Sequence, residues 1–331
     1  MRGSRTAIVA VLLGAFAIPA VAAPRADPVS RADPVSRARA PVPGTSCQVF
    51  PADNIWNLDI SRLPVHPKSW TWMRSMHAGS TDLHPDFGPP RYGIPFDVVG
   101  DAHPTTRVHF AYGSESDRGP YPFGRDTTIE GGSDRHAIMI NRDTCTLYEL
   151  FAAQWSRQRP LAGSGAVFHL ASNALRHRGW TSADAAGLPI FPGLVRWDEV
   201  RAGRIAHAIR FTADCTSKRY LWPARHEAGV SDRRCPPMGA RFRLKRGFAL
   251  KGASRDAKVI LAAMKHYGLI LADNGSDWYF QGEVDGHWTN GLMDQLKRIP
   301  ASAFVAVDES GCRVKPDSAA AAPGPRCPVP R

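Results

Sequence analysis

Several reactive signatures are missing from this 331-residue chain. There is no Gly-x-Ser-x-Gly elbow, which removes the usual serine-hydrolase nucleophile. There is no His-Glu-x-x-His helix and no Gly-x-x-x-x-Gly-Lys loop, which removes the common zinc-protease and phosphate-loop sites. None of the six cysteines is spaced Cys-x-x-Cys, so neither a zinc knuckle nor a thioredoxin-like redox pair is encoded. Lysine is scarce, since 34 of the 42 basic residues are arginine. Those arginines are scattered rather than clustered, so no nucleic-acid partner is expected despite a formal net charge of +12. Their forked guanidinium groups suit anionic polymers such as uronates or wall phosphates. Beyond residue 22 no apolar run approaches the roughly 20 residues that a membrane span needs.

The one long apolar run lies at the start. Arg2 and Arg5 precede apolar sequence from Ala7 to about Ala22, closed by the small-x-small triplet Ala20-Val21-Ala22. This layout predicts a signal peptide over 1–22, cut before Ala23, leaving an exported protein without a membrane anchor. Two copies of Arg-Ala-Asp-Pro-Val-Ser follow, and the Pro/Arg-rich composition of 23–45 predicts an extended, solvated linker. A Pro/Ala-rich tail is expected over 313–331. Between them, 46–312 reads as a single β-rich globular domain, long enough to bury a sizeable core.

An even set of cysteines in an exported chain predicts disulfides, with 15 pairings possible. Cys215–Cys235 and Cys312–Cys327 would each close a short local loop, leaving Cys47–Cys145.

Short runs of strand length and composition lie at 92–99, 106–113, 136–140, 146–153, 165–170, 207–213, 220–224 and 240–244, punctuated by Gly, Pro, Asn and Asp. The clearest hairpin is "HAIMI-NRDTC-TLYELF". Helices are expected at 254–268, with Ser254 as N-cap and Gly268 as stop, at 289–300, and in shorter form at 69–76. The pattern predicts a mainly β fold, an antiparallel sandwich or barrel of jelly-roll type with two or three peripheral helices. The stretch 179–200, "GWTSADAAGLPIFPGLVRWDEV", is broken by Gly187, Pro189, Pro192 and Gly193 yet too apolar to be disordered. It reads as a packed loop that shapes a surface.

The strings "GWTSADAAGLPIFPGLVR", "PPMGARFRLK", "SDRHAIMINRDTCTLYELFAA" and "YGLILADNGSDWYFQG" resemble segments of a family of exported bacterial proteins, actinobacterial ones especially. The resemblance implies one unit over roughly 48–308. It carries no reaction or catalytic residue with it.

Candidate chemistry therefore comes from the residues. In "ILADNGSDWYFQG" an apolar run stops at Asp273-Asn274-Gly275-Ser276-Asp277 and resumes at Trp278-Tyr279-Phe280. Read as a hairpin, it sets Asp273 and Asp277 beside a turn with Trp278 and Tyr279 as sugar platforms, which suits paired-carboxylate glycoside hydrolysis. A competing pair is His136 and Glu149. If the hairpin tip is Arg142-Asp143, position i pairs with 285 − i and His136 faces Glu149, an acid buried enough to need such a partner. Glu130 and Asp134 stand beside them, and Ser164 reads as a loop serine. Trp222, Arg225 and His226 in "LWPARHEA" are further candidates for contacting a ligand, and His84 and Asp86 form a smaller polar knot. No cofactor is expected; calcium at Asp273 and Asp277 would lack the alternating oxygen ligands of an EF-hand loop. The leading expectation is a hydrolase acting on polysaccharide or cell-wall glycan. The alternatives are a non-catalytic module binding anionic wall polymers through Arg and Trp, and a uronate lyase using Arg225, His226 and Tyr220.

Overall fold

The computed structural model describes Met1 and residues 39–328. The expected signal peptide and the linker up to residue 38 lie outside the described residues. Among the described residues fourteen strands are formed: β1 (His84–Asp86), β2 (Asp97–Val99), β3 (His109–Phe110), β4 (Ala137–Asn141), β5 (Thr146–Phe151), β6 (Leu161–Ala162), β7 (Ser164–His169), β8 (Ile209–Ala213), β9 (Ser217–Tyr220), β10 (Pro237–Met238), β11 (Arg241–Leu244), β12 (Leu269–Asn274), β13 (Tyr279–Gln281) and β14 (Phe304–Val307). Four helices accompany them: α1 (Ser69–Ser75), α2 (Trp197–Ala202), α3 (Arg255–His266) and α4 (Asn290–Leu296).

The fold is mainly β, as the sequence predicts, but its pairing is mixed rather than antiparallel throughout. The largest sheet runs β1-β13-β8-β12-β11-β14 and is open at both ends. Within it β1 is parallel to β13 and β12 to β8, while β13 and β8, β11 and β12, and β11 and β14 run antiparallel. A second sheet is ordered β2-β4-β5-β7, and β3 with β6 and β9 with β10 make two short parallel ribbons.

Both faces of the second sheet are covered. Ile138 and Ile140 point into the main core, while Ala137 and Met139 join a smaller one with Tyr121, Phe123 and Leu150. A strand covered on both sides loses polar alternation, which explains the continuous apolar run "AIMI". The main core gathers on the large sheet around Trp278, whose ring packs against Phe211, Phe242 and Phe304.

Local chemistry sets the helices. The Ser254 hydroxyl accepts from Ala257 N at the start of α3, Asp256 lies in its first turn, and Lys265 and His266 lie in its last, complementing the helix dipole. Gly268 ends it at φ +72°, where an added Cβ would fall 2.4 Å from Phe242 O. Thr289 caps α4 through Leu292 N. Helix α2 begins inside the 179–200 stretch, where only a loop is expected from the sequence, and runs past its end to Ala202.

The disulfides are Cys47–Cys145, Cys215–Cys235 and Cys312–Cys327. Packing extends past the expected boundaries of 46 and 312. Val42 is buried and donates to Cys47 O, so 39–45 is docked chain rather than solvated linker. Ala319, Ala321 and Cys327 are buried, and Ala320 bridges to Asn54 and Ser318 to Ala174, so the tail is irregular but fixed to the body.

Candidate functional site

Segments far apart in sequence meet at a cleft of about 500 Å³. The short 3-10 turn Gly113–Glu115 brings Glu115, with Tyr112 just before it. The approach to β4 brings Asp134, the irregular connection brings Thr181 to Ala185, and the end of β12 brings Asp273 and Asn274. His226 and Ser164, which opens β7 rather than lying in a loop, complete the polar lining.

Asp273 reaches this cleft through a bulge. Along β12 and β8, Leu271 lies opposite Phe211 and Asp273 opposite Thr212, so Ala272 is an extra residue. Such an insertion bends a strand and re-aims the side chains beside it. The Ala272 carbonyl accepts from Ala186 N at 2.9 Å, which docks the 179–196 connection against the strand end.

The same connection is held by buried charge. Arg210, in the middle of β8, donates from Nε to Asp184 Oδ2 at 3.0 Å and from Nη2 to Asp184 Oδ1 at 2.5 Å. Both side chains are buried, and their fork geometry is the arrangement that makes such a pair tolerable out of water. Asp273 Oδ2 lies 3.9 Å from Arg210 Nη2. Asp273 also shares a hydrogen bond with Asp184 and accepts from Asn274 N at 2.7 Å. Burial first, and then the Asp184 charge beside it, hold the Asp273 pKa well above the usual carboxylate range, with Arg210 opposing. That shift favours the protonated form of Asp273, and 23% of its side chain remains exposed. A carboxylic acid open to a cleft has the form that proton donation requires.

Across the lining, His226 Nδ1 lies 2.8 Å from Ala185 O, which assigns the proton to that nitrogen. Its Nε2 then faces Glu115 Oε2 at 3.7 Å. Glu115 Oε2 also accepts from Thr181 N at 3.1 Å. Tyr112 is 56% exposed and supplies an open aromatic face.

The expected pairing of Asp273 with Asp277 is not formed. Strands β12 and β13 do not make a hairpin, because β8 lies between them in the sheet. The DNGSD segment instead crosses the end of β8. Asp277 sits on the far side of that crossing, with Oδ2 2.8 Å from His77 Nδ1 and Oδ1 accepting from Asp214 N at 3.0 Å. Trp278 is core rather than platform: it is fully buried at φ +63° and donates from Nε1 to Met76 O. Tyr279 stacks on His84, with ring centroids 3.9 Å apart. Asp86 accepts from Tyr92 Oη and Gln281 Nε2.

His136 and Glu149 are likewise not partners. The turn closes at Asn141 opposite Thr146, so Ile138 faces Glu149 and the register is displaced by two from the expected one. An even displacement keeps His136 and Glu149 on one sheet face. The partner of His136 is Glu130, Nδ1 to Oε2 at 2.7 Å. Burial would lower the His136 pKa, but Glu130 outweighs it and the pKa is raised. Glu149 accepts from Ile190 N and Phe191 N at 2.9 Å, tying β5 to the irregular connection. Burial pushes its pKa up to about 7 against these donors. Both side chains are buried and neither lines the cleft.

Trp222 Nε1 donates to Ser318 O at 2.8 Å. Arg225 donates to Arg176 O, Pro316 O and Asp317 Oδ1. Trp222 and Arg225 fasten the C-terminal segment, so of "WPARH" only His226 reaches the cleft.

Sequence reasoning missed Asp184, Arg210, Glu115 and Tyr112. A signal existed for one of them. Arg210 interrupts the apolar strand "HAIRFTA", and a charge on a covered strand demands a buried acid. Nothing local in "TSADAAG" marks Asp184 as that acid.

No known protein family matches the chain, and neither a curated protein nor a solved structure is detectably similar to it. Among the described residues no three His, Cys, Asp or Glu side chains are grouped to hold a metal ion, and no helix is long and apolar enough to cross a membrane.

Proposed function

We propose that this is an exported protein that hydrolyses glycan in the Tyr112–Glu115–Asp273 cleft. The observation that carries this reading is Asp273, a carboxyl group whose protonated form burial and Asp184 favour and which is exposed to a cleft of about 500 Å³. Asp273 protonates the leaving glycosidic oxygen, and Glu115, beside His226, takes up a proton from the attacking water. Tyr112 offers a face on which a sugar ring stacks. Three disulfides fit the oxidising environment that export implies. Three of the four strings that carry the family resemblance contribute to this cleft, through Asp134 and Phe151, Thr181 to Ala185, and Asp273 and Asn274.

The lining also bears on substrate charge. Glu115 and Asp134 face the cleft with no arginine or lysine among the lining residues. Neutral or cationic sugars fit such a surface, and uronates do not, which ranks the lyase reading below hydrolysis.

The test incubates the full chain with neutral glucans, chitosan, polygalacturonate and purified cell wall, and measures new reducing ends and ultraviolet-absorbing products. Cleavage of a neutral or cationic polymer is expected, reduced roughly 100-fold or more in Asp273→Asn, as for loss of a general acid. Asp277→Asn retains activity. Cleavage that survives Asp273→Asn, or that yields only ultraviolet-absorbing uronate products, overturns the reading.

A further inference from the structure

A second concavity, of about 750 Å³, lies beside the Cys312–Cys327 disulfide. Its charged lining is Arg62, Arg313, Arg326 and Asp308. The three arginines are exposed, and none makes a side-chain hydrogen bond or ion pair among the described residues. That sets them apart from the arginines elsewhere that are spoken for. Arg176 pairs with Asp117, Arg196 with Glu199, Arg210 with Asp184, Arg225 with Asp317 and Arg241 with Glu309.

The covalent structure places two of them together. Arg313 directly follows Cys312 and Arg326 directly precedes Cys327, so a bridge with Cα atoms 4.8 Å apart brings both guanidinium stems to one rim. Gly311 permits the close approach, since a Cβ there would lie 2.3 Å from Arg326 O. Arg62 arrives from a separate turn, between Ser61 and Leu63, whose carbonyls accept from Arg243 Nη1. Asp308 offsets one of these three charges without forming an ion pair with any of them. Its carboxylate accepts from Ser310 N, and although burial acts to raise its pKa, the hydrogen bonds from Ser310 prevail and lower it.

We propose that this bowl is a binding site for oxyanions, the carboxylate or phosphate groups of an anionic polymer. Three unpaired guanidinium forks around one concavity present more planar donor pairs than the chain itself uses, and such forks match carboxylate and phosphate oxygens two at a time. Three like charges beside the single counter-charge of Asp308 cost stability, and an anionic ligand reduces that cost. The site is independent of the cleft: no residue lines both.

The experiment titrates the full chain with tripolyphosphate and, separately, with trigalacturonate by calorimetry at low and moderate salt. Binding of one or both is expected, weakening as salt rises. The preferred probe distinguishes a phosphate polymer from a uronate polymer. Arg313→Ala/Arg326→Ala weakens binding roughly tenfold or more, the effect of losing charged hydrogen bonds. Arg91→Ala/Arg298→Ala, which removes two exposed arginines outside the bowl, leaves it unchanged. Circular dichroism confirms that both variants are folded. Failure of both probes to bind overturns the proposal, and so does an equal loss in the two double variants. Neither outcome depends on whether the cleft cleaves glycan.

Discussion

Behind the cleft, Arg210 and Asp184 are buried and paired with each other, while at the bowl Arg62, Arg313 and Arg326 stand exposed without an ion-pair partner. The same side chain thus plays two parts in one molecule. Buried in β8, arginine fixes where the 179–196 connection docks and thereby sets the surroundings of Asp273. At the bowl its donors are left for something outside the chain. A buried pair is costly to break because the survivor cannot be hydrated, whereas an exposed charge can be deleted almost freely. The contrast separates charge that builds the site from charge that is available to a ligand.

The largest effect should come from breaking the buried side of that contrast. Asp184→Ala leaves Arg210 without its partner and should lower stability by about 3–5 kcal/mol in denaturant unfolding. Arg313→Ala should change stability by no more than about 0.5 kcal/mol. Similar losses in the two variants would dissolve the distinction.

Next is the bowl's own scaffold. Cys312→Ser/Cys327→Ser opens a loop of sequence separation 15 and should cost roughly 3 kcal/mol, with loss of oxyanion binding. Retained binding in that variant would show that the disulfide does not set the rim.

The cleft side also predicts a pH dependence. Glu149 has a folded pKa of about 7, above its ordinary 4.5, because burial favours the protonated form. The folded state therefore holds this proton more tightly than the unfolded chain does. Its contribution is fully present below about pH 4.5 and is lost as pH rises through about 7, on the order of 3 kcal/mol. Glu149→Gln should flatten the fall in stability across that window, measured as wild type minus variant. The opposite slope would mean that the Ile190 and Phe191 donors outweigh burial.

The smallest effect is reserved for Asp277. Its partner His77 is 65% exposed on its side chain, and Asp277→Asn should cost no more than about 1 kcal/mol and leave glycan cleavage unchanged. A loss of activity would return Asp277 to the site.

What was readable in the sequence was mostly local. Ser254 and Gly268 announced α3 through capping chemistry, apolar spacing over 289–300 announced α4, and loop length was enough to pair Cys215 with Cys235 and Cys312 with Cys327. The hairpin of β4 and β5 was readable as a hairpin, but its register was not. Closing at Asn141 and Thr146 rather than around Arg142-Asp143 moves every partner by two, a closure held by Asn141 Oδ1, which accepts from Asp143 N and Thr144 N. Parallel pairing was the larger obstacle. Strand β8 enters between β12 and β13 from more than fifty residues upstream, so "DNGSDW", with every local mark of a hairpin turn, became a crossing. That single insertion separated Asp273 from Asp277, buried Trp278, and gave Asp273 a partner, Asp184, from a loop that local patterning left unassigned. Asp273 was visible as a candidate because it ends an apolar run. Glu115 and Tyr112 were not, since only tertiary contact brings them to the same cleft.

The central claim is that Asp273 is a neutral carboxylic acid in an open cleft. The most direct measurement is the infrared carbonyl band of protonated carboxyl groups at pH 7, taken as the difference between wild type and Asp273→Asn. The account predicts a protonated-carboxyl band in the wild type that is missing from the variant and disappears only when the pH is raised well beyond the usual carboxylate range. A difference spectrum showing an ionised carboxylate at pH 7, titrating near the ordinary value for aspartate, would contradict it and remove the proton donor from the cleft.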